Sequence, residues 1–137
     1  MIQATQRTIA DILLPPEAIP MMPGRTLVKE ALEQMSAGKL GLACIVDDDG
    51  RLIGLFTDGD LRRLLLRSQK PLSALFADDI IDHARREFTS VRADTSIDAA
   101  LNLLQEREIF DLPVLDEAGR LQGLIHLHPA LRALLGE

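Results

Sequence analysis

The stretch Thr57-Asp58-Gly59-Asp60 holds the most chemically pointed residues of the sequence. It follows the apolar run Leu52-Ile53-Gly54-Leu55-Phe56 and precedes Leu61, Leu64 and Leu65, so it lies where a strand passes into an amphipathic helix. At such a junction the first N–H groups of the helix lack partners and the helix dipole is positive, which suits a phosphate. Thr57 can add a hydroxyl to that phosphate, and Asp60 can accept hydrogen bonds from a ribose diol. The same residues also spell a capping box, with Thr57 as N-cap and Asp60 as the acid three positions on. The two readings are compatible, because an N-cap can also face a ligand.

Other residues are weaker candidates. His126 and His128 are two apart in a strand-like segment and would face the same side, as donors to a phosphate or carboxylate. The alternative is one histidine packed locally and the other solvated. A metal site lacks support, because no Cys or acid stands at ligand spacing near them and His83 is unplaced. Asp47-Asp48-Asp49-Gly50 fails the alternating acids of a calcium loop and reads as a hairpin turn. Cys44, the single cysteine, lies in an apolar run and reads as a packing residue. Arg62 and Arg63 read as a solvated helix face, with a phosphate or interface role as the other possibility. No Ser-His-Asp or Cys-His arrangement is recognisable, so no catalytic residue is assigned.

The elements that must position these residues follow from an internal repeat. Thr26 falls on Thr95 and Ala31 on Ala100 at a shift of 69 positions. The same shift lays Asp47 on Asp116, Gly50-Arg51-Leu52 on Gly119-Arg120-Leu121, and Gly54-Leu55 on Gly123-Leu124. Such a constant offset defines two copies, here bounded at 1–70 (with an N-terminal lead-in) and 71–137. In each copy a threonine, Thr26 or Thr95, reads as the N-cap of a first helix, with Asp98 completing a capping box in the second. Two apolar runs around an acidic Gly-containing turn then read as a hairpin, and a Leu-rich helix closes each copy. Ile19–Met22 and Phe88–Val91 read as further strands, and Ile9–Leu13 and Leu75–Ile81 as short lead-in helices. The order per copy is β-α-β-β-α, an α+β fold. A unit of roughly 60 residues has little core of its own, so two copies packed together are expected, and the Leu-rich helix faces predict a homodimer.

Composition narrows the function further. Of 137 residues, 47% are hydrophobic and 26% charged, the balance of a folded globular chain. The net charge is -6, without a basic block, which argues against nucleic acid or an anionic membrane as partner. There is no Trp or Tyr to stack on single-stranded bases. The longest apolar run, Leu42 to Val46, is far short of the ~20 residues of a membrane span. Arg7 and Asp11 interrupt any signal-like segment, and one cysteine suits a reducing compartment, so a cytoplasmic protein is expected.

The repeat, together with Gly54-Leu55-Phe56-Thr57-Asp58-Gly59-Asp60-Leu61, resembles a tandem pair of cystathionine-β-synthase (CBS) domains, a Bateman module with a pseudo-two-fold axis. The runs Lys39-Leu40-Gly41, Asp48-Asp49-Gly50, Thr57 to Arg63 and His126-Leu127-His128 are similar to the C-terminal CBS pair of D-arabinose 5-phosphate isomerases of the sugar-isomerase (SIS) family. The resemblance implies a regulatory ligand-binding module of an isomerase that feeds synthesis of the acidic sugar Kdo of lipopolysaccharide. It implies a phosphate contact at Thr57, a ribose contact at Asp60, and a ligand cleft between the copies bordered by Lys39, Gly41 and Asp58. Against this, Lys39 can instead be an exposed cation after a helix ended by Gly38. In copy two His126 and Pro129 replace Thr57 and Asp60, so copy one is expected to carry the main contacts. The effector implied is an adenine nucleotide, or by pathway analogy a cytidine nucleotide-sugar, and no cofactor is required. The isomerase chemistry would belong to a SIS domain outside this chain, so the chain itself is not expected to be an enzyme. A structural dimerisation module without ligand, or a free-standing pair regulating another enzyme, remain as alternatives.

Overall fold

The structure, a computed structural model, describes residues 7–127. The two hairpins carry the repeat. In copy one, strands β2 (Leu42–Val46) and β3 (Leu52–Thr57) pair antiparallel, below a turn in which the Asp47 carboxylate accepts the N–H groups of Asp49 and Arg51, each at 2.9 Å. Gly50 completes the turn at φ 83°, a left-handed conformation open to glycine. In copy two the Asp116 carboxylate accepts from Ala118 and Arg120, again at 2.9 Å, and Gly119 has φ 83°. This is turn chemistry in both copies, as expected, and Asp47 turns inward on its own loop.

The register repeats residue for residue. Leu42 faces Thr57 and Ile45 faces Gly54; in β4 (Asp111–Leu115) and β5 (Leu121–His126), Asp111 faces His126 and Val114 faces Gly123. Each hairpin has its irregularity at the same place, Ile45/Val46 and Val114/Leu115. Gly54 and Gly123 therefore occupy like backbone positions, as the repeat predicts. A short strand β1 (Met21–Met22) adds to β2 in parallel, with Met22 facing Ile45. Its counterpart in copy two is reduced to one bridge, Val91 to Val114.

Helix α1 (Val28–Gly38) buries Val28, Ala31 and Met35. Further along lie α2 (Asp58–Arg67), α3 (Leu72–Phe76) and α4 (Ile97–Arg107). Helix α4 buries Ile97, Ala100 and Leu104, the same positions shifted by the repeat. The expected caps move by one residue. Leu27 is the N-cap of α1, its N–H held by Glu30 Oε1 at 3.3 Å, and Ser96 caps α4 by accepting from Ala99 N–H at 3.1 Å. The threonines are otherwise engaged, since the Thr26 carbonyl accepts from Ile80 N–H at 2.8 Å and the Thr95 carbonyl from Ile9 N–H at 2.9 Å. Gly38 likewise does not end α1 as C′. Lys39 takes the left-handed position at φ 60°, while Gly38 stays helical where a Cβ would stand 2.7 Å from Pro20 Cγ.

The chain divides into two compact units, Glu17–Phe88 and Met1–Pro16 joined with Thr89–Glu137. These cuts differ from the sequence halves 1–70 and 71–137, because each lead-in packs on the other copy. Leu14 pairs in both directions with Leu124 of β5 (2.8 and 3.0 Å), and Arg85 in both directions with Leu55 of β3 (2.8 and 2.9 Å). The expected lead-in helices are accordingly brief: 3-10 turns at Ile9–Asp11 and Ile80–Asp82, plus the short α3, before the chain extends along a strand edge. Ile9 enters the core of one unit with Ile97 and Leu112; Leu75 and Ile80 enter the core of the other with Phe56 and Leu64. On α2 Leu64 is buried, while Leu65 and Leu66 are exposed. The expected closing helix of copy two, with Leu131, Leu134 and Leu135, lies outside the described residues, as do His128 and Pro129.

Candidate functional site

The β3–α2 junction brings Thr57, Asp58, Asp60 and Gly41 together. Thr57 ends β3 in extended conformation and caps α2, its hydroxyl oxygen accepting the Asp60 N–H at 3.2 Å. The Asp60 carboxylate returns the bond, accepting Thr57 N–H at 2.9 Å and the Thr57 hydroxyl at 3.0 Å. The capping box is thus fully built. Gly41, at φ 71°, gives its carbonyl to Asp58 N–H at 2.9 Å, and a Cβ on Gly41 would stand 2.7 Å from Asp58 Oδ2. The left-handed backbone is why glycine is favoured there. Lys39 is exposed at the end of α1, two residues from Gly41.

Two arginines complete the junction. Arg63 Nη2 donates to Asp60 Oδ1 at 2.7 Å, and Arg85 Nε lies 3.0 Å from Oδ1 and 3.1 Å from Oδ2. Burial alone would raise the Asp60 carboxyl, but the Arg63 bond, the Thr57 N–H and Arg85 outweigh it and hold the group below the usual carboxylate range. Sequence reasoning left Arg63 on a solvated face and missed Arg85. Arg85 is 25 residues from Asp60, and only the docking of the lead-in on Leu55 brings it near.

Copy two is built differently at the equivalent point. His126 Nδ1 lies 2.7 Å from Asp111 Oδ1, across the hairpin at the position of the Thr57–Leu42 pair. Burial raises the Asp111 carboxyl, and His126 only partly offsets this. Hairpin register would have found Asp111, because the residue facing His126 follows from the turn. Among the described residues no three His, Cys, Asp or Glu side chains converge as a metal site would require. Cys44 is buried in β2, and His83 pairs with Asp78 at 2.8 Å.

The Asp111–His126 pair supports a prediction. His126→Ala leaves a part-buried carboxylate without its partner and is expected to destabilise the protein by about 1–3 kcal/mol at neutral pH. Asp111→Leu with His126→Thr restores the apolar–hydroxyl pair of copy one and should fold at least as stably as the parent. A carboxyl raised in the folded state binds its proton more tightly there than in the unfolded chain, so stability grows as pH falls through the folded value. The gap between the two variants in urea unfolding should therefore close on moving from neutral to mildly acidic pH; a gap that widens contradicts the assignment.

Residues 9–67 and 77–136 each match the sequence profile of the CBS domain. The chain belongs to the CBS domain family. It is a CBS pair, a regulatory module, whose two repeats take up most of its length. It is 31% identical over 125 residues to arabinose 5-phosphate isomerase KdsD of Pseudomonas aeruginosa and 36% identical to that of Yersinia pestis, matching 91% of the chain in both. The chain spans only 37% of the length of these relatives. Among solved structures it is similar to the CBS pair CBSX2 in complex with AMP, at 29% identity and TM-score 0.83, covering 94% of this chain and 96% of that one. The CBS pair of protein MJ0100, at 21% identity and TM-score 0.79, covers 95% of this chain and 97% of that one and shares the fold. In this chain Thr57 and Asp60 stand at the strand–helix junction of copy one.

Proposed function

We propose that the chain is the ligand-sensing part of a regulatory system in which an adenine nucleotide binds at the β3–α2 junction of copy one. The observation that carries this reading is the paired Thr57 and Asp60 at the start of α2, in a chain 29% identical to a CBS pair described in complex with AMP. A phosphate would use the Thr57 hydroxyl and the first N–H groups of α2, and the ribose diol would take the Asp60 carboxylate. Lys39 and Gly41 would border the ligand, and Asp58 would hold the Gly41 turn in place. His126 and His128 of copy two would have an auxiliary part at most.

The kinship with arabinose 5-phosphate isomerases supports a setting beside a SIS catalytic domain in Kdo and lipopolysaccharide synthesis. That setting is cytoplasmic, and among the described residues no helix is long and apolar enough to cross a membrane. It also makes a cytidine nucleotide-sugar the competing effector. Leu65 and Leu66, 48% and 81% exposed on α2, favour a homodimer in which that face is covered.

Thermal unfolding with AMP, ATP, CMP and a CMP-sugar tests the reading. A ligand that binds only the folded state at about a hundred times its Kd adds about 2.7 kcal/mol of apparent stability. AMP or ATP should raise the Tm. A rise with the cytidine compounds alone transfers the proposal to the nucleotide-sugar, and no rise with any of them overturns it.

A further inference from the structure

Asp60 is one carboxylate between two guanidinium groups, so the cluster carries a surplus positive charge. Its two oxygens already accept from Thr57 N–H, the Thr57 hydroxyl, Arg63 and Arg85. The arginines, by contrast, are not used up. Arg85 donates through Nε and Arg63 through Nη2, which leaves both Nη groups of Arg85 and Nη1 of Arg63 without a partner among the described residues. Their side chains are 43% and 55% exposed, against 6% for Asp60. Both are held from behind. Arg85 has its backbone paired in both directions with Leu55, and Arg63 lies back over Gly59, where a Cβ would meet Nη1 and Nη2 at 3.3 Å. The carboxylate of Asp58, the other acid of this turn, lies toward Gly41 and pairs with neither arginine. Guanidinium forks held in place with spare donors match a phosphate better than they match water.

We infer that Arg63 and Arg85 form a receiving site for a phosphoryl or pyrophosphoryl group, with Asp60 as the positioning residue that holds both guanidinium groups ready. The arriving anion draws the arginines toward itself, and the carboxylate oxygens they release become available to a hydroxyl of the same ligand. For a nucleotide this deepens, and rests on, the function proposed above; for the bare anion it stands by itself.

Isothermal titration at fixed ionic strength tests it with two probes, pyrophosphate and AMP. Pyrophosphate should bind the wild type, about ten- to a hundred-fold more weakly to Arg63→Gln or Arg85→Gln, and undetectably to the double variant. Arg62→Gln, an exposed neighbour on the same helix, should bind like the wild type. Arg63→Lys and Arg85→Lys keep the charge on Asp60 and guard against loss of fold; they should bind at intermediate strength, because lysine lacks the fork. Pyrophosphate that fails to bind the wild type, or binds the double variant equally, overturns the inference. AMP bound alike by wild type and double variant overturns it while leaving the nucleotide reading intact. Pyrophosphate bound through the arginines without any binding of AMP upholds it and removes the nucleotide reading instead.

Discussion

Asp60→Ala should weaken AMP binding by about ten- to a hundred-fold, the worth of a charge-assisted hydrogen bond of roughly 1.5–3 kcal/mol to a ribose hydroxyl. The same change removes the acid of the capping box and the anchor of Arg63 and Arg85, so a stability loss of about 1–3 kcal/mol accompanies it. The arginines soften this loss, since both are near enough to the surface to be hydrated when released. Asp60→Asn separates the two effects. The amide oxygen can still cap Thr57 N–H, so stability should largely return while affinity stays reduced. The Asp60 carboxyl is held below its ordinary range in the folded state. Its contribution is therefore complete at neutral pH and is lost as pH falls through that depressed value. The stability difference between wild type and Asp60→Ala, from urea unfolding, should shrink only in strong acid. A difference that shrinks between pH 7 and pH 5 would show that the carboxylate is not stabilised as described.

Gly123→Ala should be more damaging than Gly54→Ala, although the two glycines are equivalent in the repeat. A Cβ at position 123 would stand 2.6 Å from the Leu14 carbonyl oxygen and 2.6 Å from Leu13 Cδ1. The backbone atom cannot move aside without breaking the two Leu14–Leu124 hydrogen bonds that hold the lead-in on β5. Two lost backbone bonds and an overpacked contact together cost about 3 kcal/mol or more. At Gly54 the nearest atoms are Ala84 Cβ and Ile81 Cδ1, both at 3.2 Å; Ile81 can turn aside, and the main chain at Ala84 has to give by only a few tenths of an ångström. About 1 kcal/mol is expected there. Thermal unfolding of the two variants decides the order, and amide exchange at Leu14 and Leu124 should quicken only in Gly123→Ala. Equal stability of both variants would mean that the lead-in does not lie against Gly123.

The contrast between these glycines also marks what the sequence reveals. Pairings within a copy are legible because a hairpin fixes its own register. Asp47 and Gly50 dictate the turn, the turn dictates that Ile45 faces Gly54, and the repeat carries the whole pattern to Asp116, Val114 and Gly123. Thr57 and Asp60 are legible for the same reason, as neighbours three apart on a helix start. What depends on distant segments is not. The exchange of lead-ins between copies leaves little local trace: Ile9 and Ile80 take corresponding places against Thr95 and Thr26, yet their surrounding sequences share only the Ile-x-Asp of Ile9–Asp11 and Ile80–Asp82, which says nothing of the copy each packs on. That exchange also displaces the expected threonine caps and delivers Arg85 to Asp60. The close approach of Pro20 to Gly38, which passes the left-handed turn on to Lys39, is again a tertiary contact and outweighs the local preference for glycine at C′.

The central claim, a nucleotide site at the β3–α2 junction of copy one, is tested most directly by following the backbone amides of the isotope-labelled chain by NMR as AMP is added. The account predicts the largest saturable shifts at Thr57, Asp58, Gly59 and Asp60, smaller ones at Gly41, and none at the hairpin turns around Gly50 and Gly119. Absence of saturable shifts, or shifts confined to residues remote from Thr57–Asp60, would contradict it and leave the junction as a helix cap alone.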